Sequence, residues 1–94
     1  MAEFTVTVSN NKGFHLRPAS KLLQLVSEFA DAQIVIHHDE SGRSADCRNM
    51  MALMMMSSPQ GTVFRVEIDA ESSQKDVITK AISDLFDQGF GDET

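Results

Sequence analysis

Three runs of this chain set inward residues against outward ones with a period of two, and each keeps its strongly apolar residues on one side. Phe4, Val6 and Val8 alternate with Thr5 and Thr7; Ile34 and Ile36 with Gln33, Val35 and His37; Phe64, Val66 and Ile68 with Arg65 and Glu67. That pattern belongs to β-strands with a single buried face. His38 to Gly42 read as a turn, followed by a short strand over Arg43 to Asp46. A sheet of such strands needs cover on one side only.

The cover is written between the strands. Apolar residues at 19, 22, 23, 26 and 29 form the stripe of an amphipathic helix. A second stripe holds Val77, Ile78, Ala81, Ile82 and Leu85, with Ser72 or Ser73 as N-cap and Gly89 as stop. A short helix fits Met50 to Met56, closed by the turn residues Ser57-Ser58-Pro59-Gln60-Gly61. The resulting order, β-α-β-β-α-β-α, predicts an α/β (α+β) chain built as an open-faced two-layer sandwich. Its four-stranded antiparallel sheet is covered on one face by helices. Without repeats or a linker, residues 1–94 read as one domain.

Charge and length narrow the function. A net charge of −6 argues against nucleic acid, whose phosphates call for a basic footprint. No apolar run approaches the roughly 20 residues that span a bilayer, and MAEFTVTVS lacks the basic and apolar regions of a signal peptide. With Cys47 as the only cysteine, no intrachain disulfide forms, and a cytoplasmic location is expected. Asp84, Asp87, Asp92 and Glu93 gather at the acidic end, where they read as a solubilising terminus. No phosphate-loop glycine pattern or G-x-S-x-G is present.

The stretch NKGFHLRPASKLL raises the sharpest question. With His15 as N-cap, Pro18 falls in the first turn, where its missing N–H costs little. The N–H groups of Leu16 and Arg17 then point out of a helix end that carries about half a positive charge. An anion is stabilised there. The same field suits a neutral, nucleophilic imidazole that becomes an anion when phosphorylated, with the Arg17 fork able to engage two phosphate oxygens. Gly13 permits the tight turn that leaves the ring exposed. On physics alone, a histidine that merely caps a helix, beside a surface arginine, stands equally open.

GFHLRPAS, its position and the element order together resemble the HPr phosphocarrier family of the bacterial phosphotransferase system, and the likeness covers the whole chain. The resemblance implies that His15 is phosphorylated on Nδ1 by an enzyme I fed by phosphoenolpyruvate. It further implies transfer to a histidine of an enzyme IIA protein, with Arg17 stabilising the phosphoryl group. LMMMSSPQG and LFDQGFGDET are similar to the nitrogen-related (NPr) branch of that family. The alternatives are a sugar-transport HPr and a regulatory domain that binds partners without being phosphorylated. Asn49 occupies the place of the serine that many sugar-type members offer to a kinase. It cannot accept phosphate, but can cap the short helix.

Met50, Met51, Met54, Met55 and Met56 crowd around Leu53. A helix apolar nearly all round is either buried all round or an interface, and flexible thioethers suit a surface that fits more than one partner. The resemblance makes this helix a docking surface beside the histidine. Met50, Met51 and Met54, with Leu16, Ser20 and Asn49, are then partner contacts, while Leu53 and Met56 face inward. His37 and His38 with Asp39, Glu40 and Cys47 do not read as a metal site, because successive strand residues point to opposite faces. Cys47 reads as a small inert hydrophobe. The expectation is a monomeric phosphocarrier rather than an enzyme, without metal, cofactor or membrane insertion.

Overall fold

A computed structural model describes residues 2–91, so Asp92 and Glu93 of the acidic end lie outside the described residues. The elements are β1 (Ala2–Thr7), α1 (Leu16–Val26), β2 (Gln33–His38), β3 (Arg43–Asp46), α2 (Met50–Met54), β4 (Val63–Asp69) and α3 (Ser72–Asp87), then a 3-10 turn at Gly89–Gly91. The four strands form one antiparallel sheet in the order β1-β4-β2-β3. The register sets Phe4 opposite Val66 and Val6 opposite Phe64, with Ile34 opposite Ile68 and Ile36 opposite both Val66 and Ala45. Those residues share one face because side chains alternate along a strand. Leu22 and Val26 of α1, with Ile78, Ile82 and Phe86 of α3, are buried in the same core. The open-faced sandwich expected from the pattern is the fold observed.

The uncovered face is polar. His37 Nε2 donates to Glu67 at 2.8 Å and its Nδ1 lies 2.6 Å from the Ser44 hydroxyl. Arg65 donates to both carboxylate oxygens of Asp39, at 3.0 and 3.1 Å, and to Glu3 at 2.7 Å. These hydrogen bonds hold the exposed Asp39 carboxyl below its usual range.

Several boundaries differ from the expected ones. β1 starts at Ala2 and stops before Val8, whose backbone instead pairs with Thr62 and Gly61 while its side chain stays buried. α1 ends at Val26, so Phe29 packs from the turn beyond it. Arg48 closes that helix end by donating to the Val26 and Phe29 carbonyls, as suits a cation at a helix C-terminus. α2 stops at Met54, and Met56 turns inward from the following loop. The N-cap of α3 is Glu71, with Ser72 the first helical residue. Val77 is exposed, because the buried stripe runs through 78, 82 and 86, and its neighbour in sequence stands about 100° around the helix. Ala81 and Leu85 flank that stripe, half-buried.

Candidate functional site

The site is built outward from Phe14. Its ring is buried between Phe64, at 5.3 Å and edge-on, and Phe86, stacked at 6.3 Å. Phe90 closes the cluster from the C-terminal side, 4.7 Å from Phe86 and 5.9 Å from Phe14. Phe90 holds a left-handed backbone at φ 59°, between Gly89 and Gly91, which are also at positive φ. A phenylalanine adopts that conformation only where its surroundings compel it. Here the compulsion is burial of the ring, with Lys21 of α1 donating to the Phe90 carbonyl and Ser9 donating to that of Phe86 at 2.6 Å.

The backbone around Phe14 is pinned as firmly as its ring. Phe14 and Ser58 exchange N–H to carbonyl bonds of 2.7 and 3.1 Å, tying this segment to the loop that leaves α2. The Asn10 side chain donates to the Gly13 carbonyl at 2.7 Å, and the Gly13 N–H donates back to the Asn10 carbonyl at 3.1 Å. Gly13 sits at φ +78°, and a Cβ there would meet the Ser58 carbonyl oxygen at 2.2 Å. Only glycine fits that approach.

His15 follows as the N-cap of α1, in extended backbone at φ −139° and ψ −161°, and its carbonyl accepts the first helical bond from Ala19 at 3.0 Å. Its side chain makes no capping bond to the helix. The imidazole is half-exposed, with Nε2 buried. Leu16 and Arg17 are exposed in the first turn, Pro18 is buried and Ser20 half-buried. α2 packs against α1. Asn49 caps α2 through its side-chain oxygen, 3.1 Å from the Ala52 nitrogen. Leu53 and Met56 face inward as expected, while Met51 and Met54 face solvent and Met50 is half-buried.

Some of this was beyond sequence reasoning. The Phe14 anchor, the Lys21 bond and the Phe90 turn join residues far apart in sequence, and the one local signal is a phenylalanine flanked by two glycines. Met55, omitted from the expected contacts, is 70% exposed. His37 and His38 diverge: the first joins Glu67 on the open face, and the second lies edge-on to Phe64 with Nδ1 2.7 Å from the Ser41 hydroxyl. Among the described residues, no three His, Cys, Asp or Glu side chains gather as a metal ion would require. Burial chiefly, with the neighbouring Asp46 carboxylate, pushes the Cys47 thiol up to about 12.

Comparisons with known proteins bear on the site. The chain matches the family described as PTS-HPr, the PTS HPr component phosphorylation site, over residues 2–88. It is 34% identical over 94 residues to phosphocarrier protein HPr of Xylella fastidiosa strain Temecula1, covering 100% of both chains. It is also 35% identical over 89 residues to phosphocarrier protein NPr of Escherichia coli K12, covering 95% of this chain and 94% of that one. Its fold superposes on a crystal structure of HPr from Thermoanaerobacter tengcongensis with a TM-score of 0.85 at 29% identity, covering 100% of both chains. Among the described residues, no helix is long and apolar enough to cross a membrane.

Proposed function

The chain belongs to the HPr family of phosphocarrier proteins, and from that premise we propose that His15 is its phosphoryl acceptor. Proteins of this family carry phosphate rather than catalyse its turnover. The observation that carries the assignment is that a half-exposed histidine holds the N-cap place of α1. A helix start is the favoured place for an anion, and here the side chain on the spot is a nucleophile. The burial of Nε2 supports Nδ1 as the nitrogen that takes the phosphoryl group.

In the reaction, Nδ1 attacks the phosphorus of phosphorylated enzyme I. The new N–P bond forms as the donor's bond to phosphorus breaks, and the histidine of an enzyme IIA protein later attacks the same phosphorus as the bond to His15 breaks. The Leu16 and Arg17 N–H groups face the phosphoryl oxygens, and the Arg17 guanidinium engages them in a charge-assisted fork. Leu16, Ser20, Asn49, Met50, Met51 and Met54 make up the docking surface, with Met55 added on its exposure. The relay runs in the cytoplasm, with the carrier as a monomer. We assign it to the nitrogen-related branch on the strength of LMMMSSPQG, LFDQGFGDET and Asn49, which offers no hydroxyl to a kinase.

The test is labelling from phosphoenolpyruvate with each type of enzyme I. The wild type should gain an acid-labile, base-stable phosphoryl group, fastest from the nitrogen-type donor. His15→Ala should gain none, whereas replacing His37 or His38 should change nothing. A label persisting on His15→Ala sinks the assignment, and faster charging by the sugar-type donor moves the protein to that branch.

A further inference from the structure

Among the described residues, three neighbouring methionines stand in solvent, with Met51 78%, Met54 48% and Met55 70% exposed. Met56, next in sequence, is only 2% exposed, and Cys47 is fully buried. Sulfur oxidation follows access, and for cysteine also thiolate character. Burial denies Cys47 both, because its thiol stays protonated across the physiological range. Among the described residues, an oxidant therefore meets the thioethers of Met51, Met54 and Met55 first. Met51 and Met54 lie on α2, which packs against α1, Met55 follows directly as the C-cap, and the loop beyond it is bonded to Phe14, the residue before His15.

We propose that Met51, Met54 and Met55 form a reversible oxidation site at which hydroperoxides weaken the carrier's docking to its phosphoryl donor and acceptor. The proposal rests on the docking role given to α2 above. In each step a thioether lone pair attacks the terminal oxygen of the hydroperoxide. The S–O bond forms as the O–O bond breaks, and the terminal proton moves to the departing oxygen, which leaves as water or an alcohol. Sulfur is oxidised by two electrons and the hydroperoxide is reduced by two. A methionine sulfoxide reductase reverses the change by oxidising a dithiol to a disulfide and releasing water.

The product is a polar sulfoxide where an apolar, adaptable side chain had been. Docking must then strip water from a strong dipole that the partner's surface is not built to satisfy. The core is spared, because Leu53 and Met56 carry the inward packing of this segment. The imidazole is also chemically unchanged, so the effect falls on KM for the carrier rather than on kcat.

The full chain is treated with hydrogen peroxide, mapped by peptide mass, and assayed as acceptor from phosphorylated enzyme I. Oxygen should be gained at Met51, Met54 and Met55 before Met56 or Cys47. KM should then rise by about tenfold or more and return after treatment with both sulfoxide reductases. Combined Met51→Leu, Met54→Leu and Met55→Leu keeps the surface apolar and should make transfer indifferent to peroxide. Earlier oxidation of Met56 or Cys47, or an unchanged KM once all three have reacted, overturns the proposal. Met51→Glu, assayed without peroxide, separates the two readings. If it raises KM while full oxidation does not, docking through α2 stands and the oxidation site falls; if neither raises KM, both fall.

Discussion

At the start of α2, Asn49 turns its amide oxygen onto the Ala52 N–H and closes the helix that it begins. At the start of α1, His15 takes the same N-cap place, also in extended backbone, and makes no such bond with its side chain. One helix end is completed by its own residue. The other keeps a side chain capable of chemistry where an anion is favoured. A good cap contributes about 1 kcal/mol, and α1 forgoes it. Its start is held instead by tertiary contacts: the buried Phe14 ring, the Phe14–Ser58 backbone bonds and the close approach of Gly13. The residue proposed to carry phosphate thus follows directly on an anchored one.

The sharpest way to break this contrast is His15→Asn, which gives α1 the kind of cap α2 has. Phosphoryl acceptance should vanish completely while stability holds or rises by up to about 1 kcal/mol. Labelling from phosphoenolpyruvate and a thermal melt read the two effects separately, and a lower melting temperature contradicts the view that α1 gives up a cap for chemistry. Next in size is Arg17→Lys, which keeps the charge and loses the planar fork. Single-turnover transfer should slow roughly 10- to 100-fold, as expected for a charge-assisted bond of about 1.5–3 kcal/mol. Melting should hardly move, since the exposed first-turn side chain adds little to stability.

Asn49→Ala tests the other helix. It should lower stability by about 1 kcal/mol through loss of the cap, seen as a lower urea midpoint, with transfer slowed less than in Arg17→Lys, through the loosened α2 and the lost partner contact. If transfer falls as far as in Arg17→Lys, the two helix ends do not divide labour as described. The smallest effect lies away from both ends. The Asp39 carboxyl is held below its ordinary value, chiefly by the Arg65 hydrogen bonds. A depressed carboxyl favours the folded state above that value and loses the contribution as pH falls through its lower, folded value. Asp39→Asn should therefore flatten the acid limb of the melting curve slightly below about pH 4. An unchanged limb means that the pair is fully screened.

How much could be read in advance follows the same division between local and long-range causes. The period-two runs, the stripe of α1 and the glycine before His15 are local patterns, and they determined the strands, the open-faced sandwich and the placing of His15 as an N-cap. Asn49 as the cap of α2, and the inward turn of Leu53 and Met56, were equally legible, because capping and face depend on near neighbours in sequence. The sequence alone could not decide what holds Phe14. Phe64 lies far in sequence from Phe86 and Phe90, and all three meet Phe14 in a fold that sets β4 between β1 and β2. The left-handed Phe90 and the Lys21 bond to its carbonyl are decided there as well. So is the exposure of Val77, which a helical stripe brackets but does not resolve. A residue's period tells which side of its own element it occupies; what stands opposite is set by packing, where contacts far apart in sequence must be satisfied together.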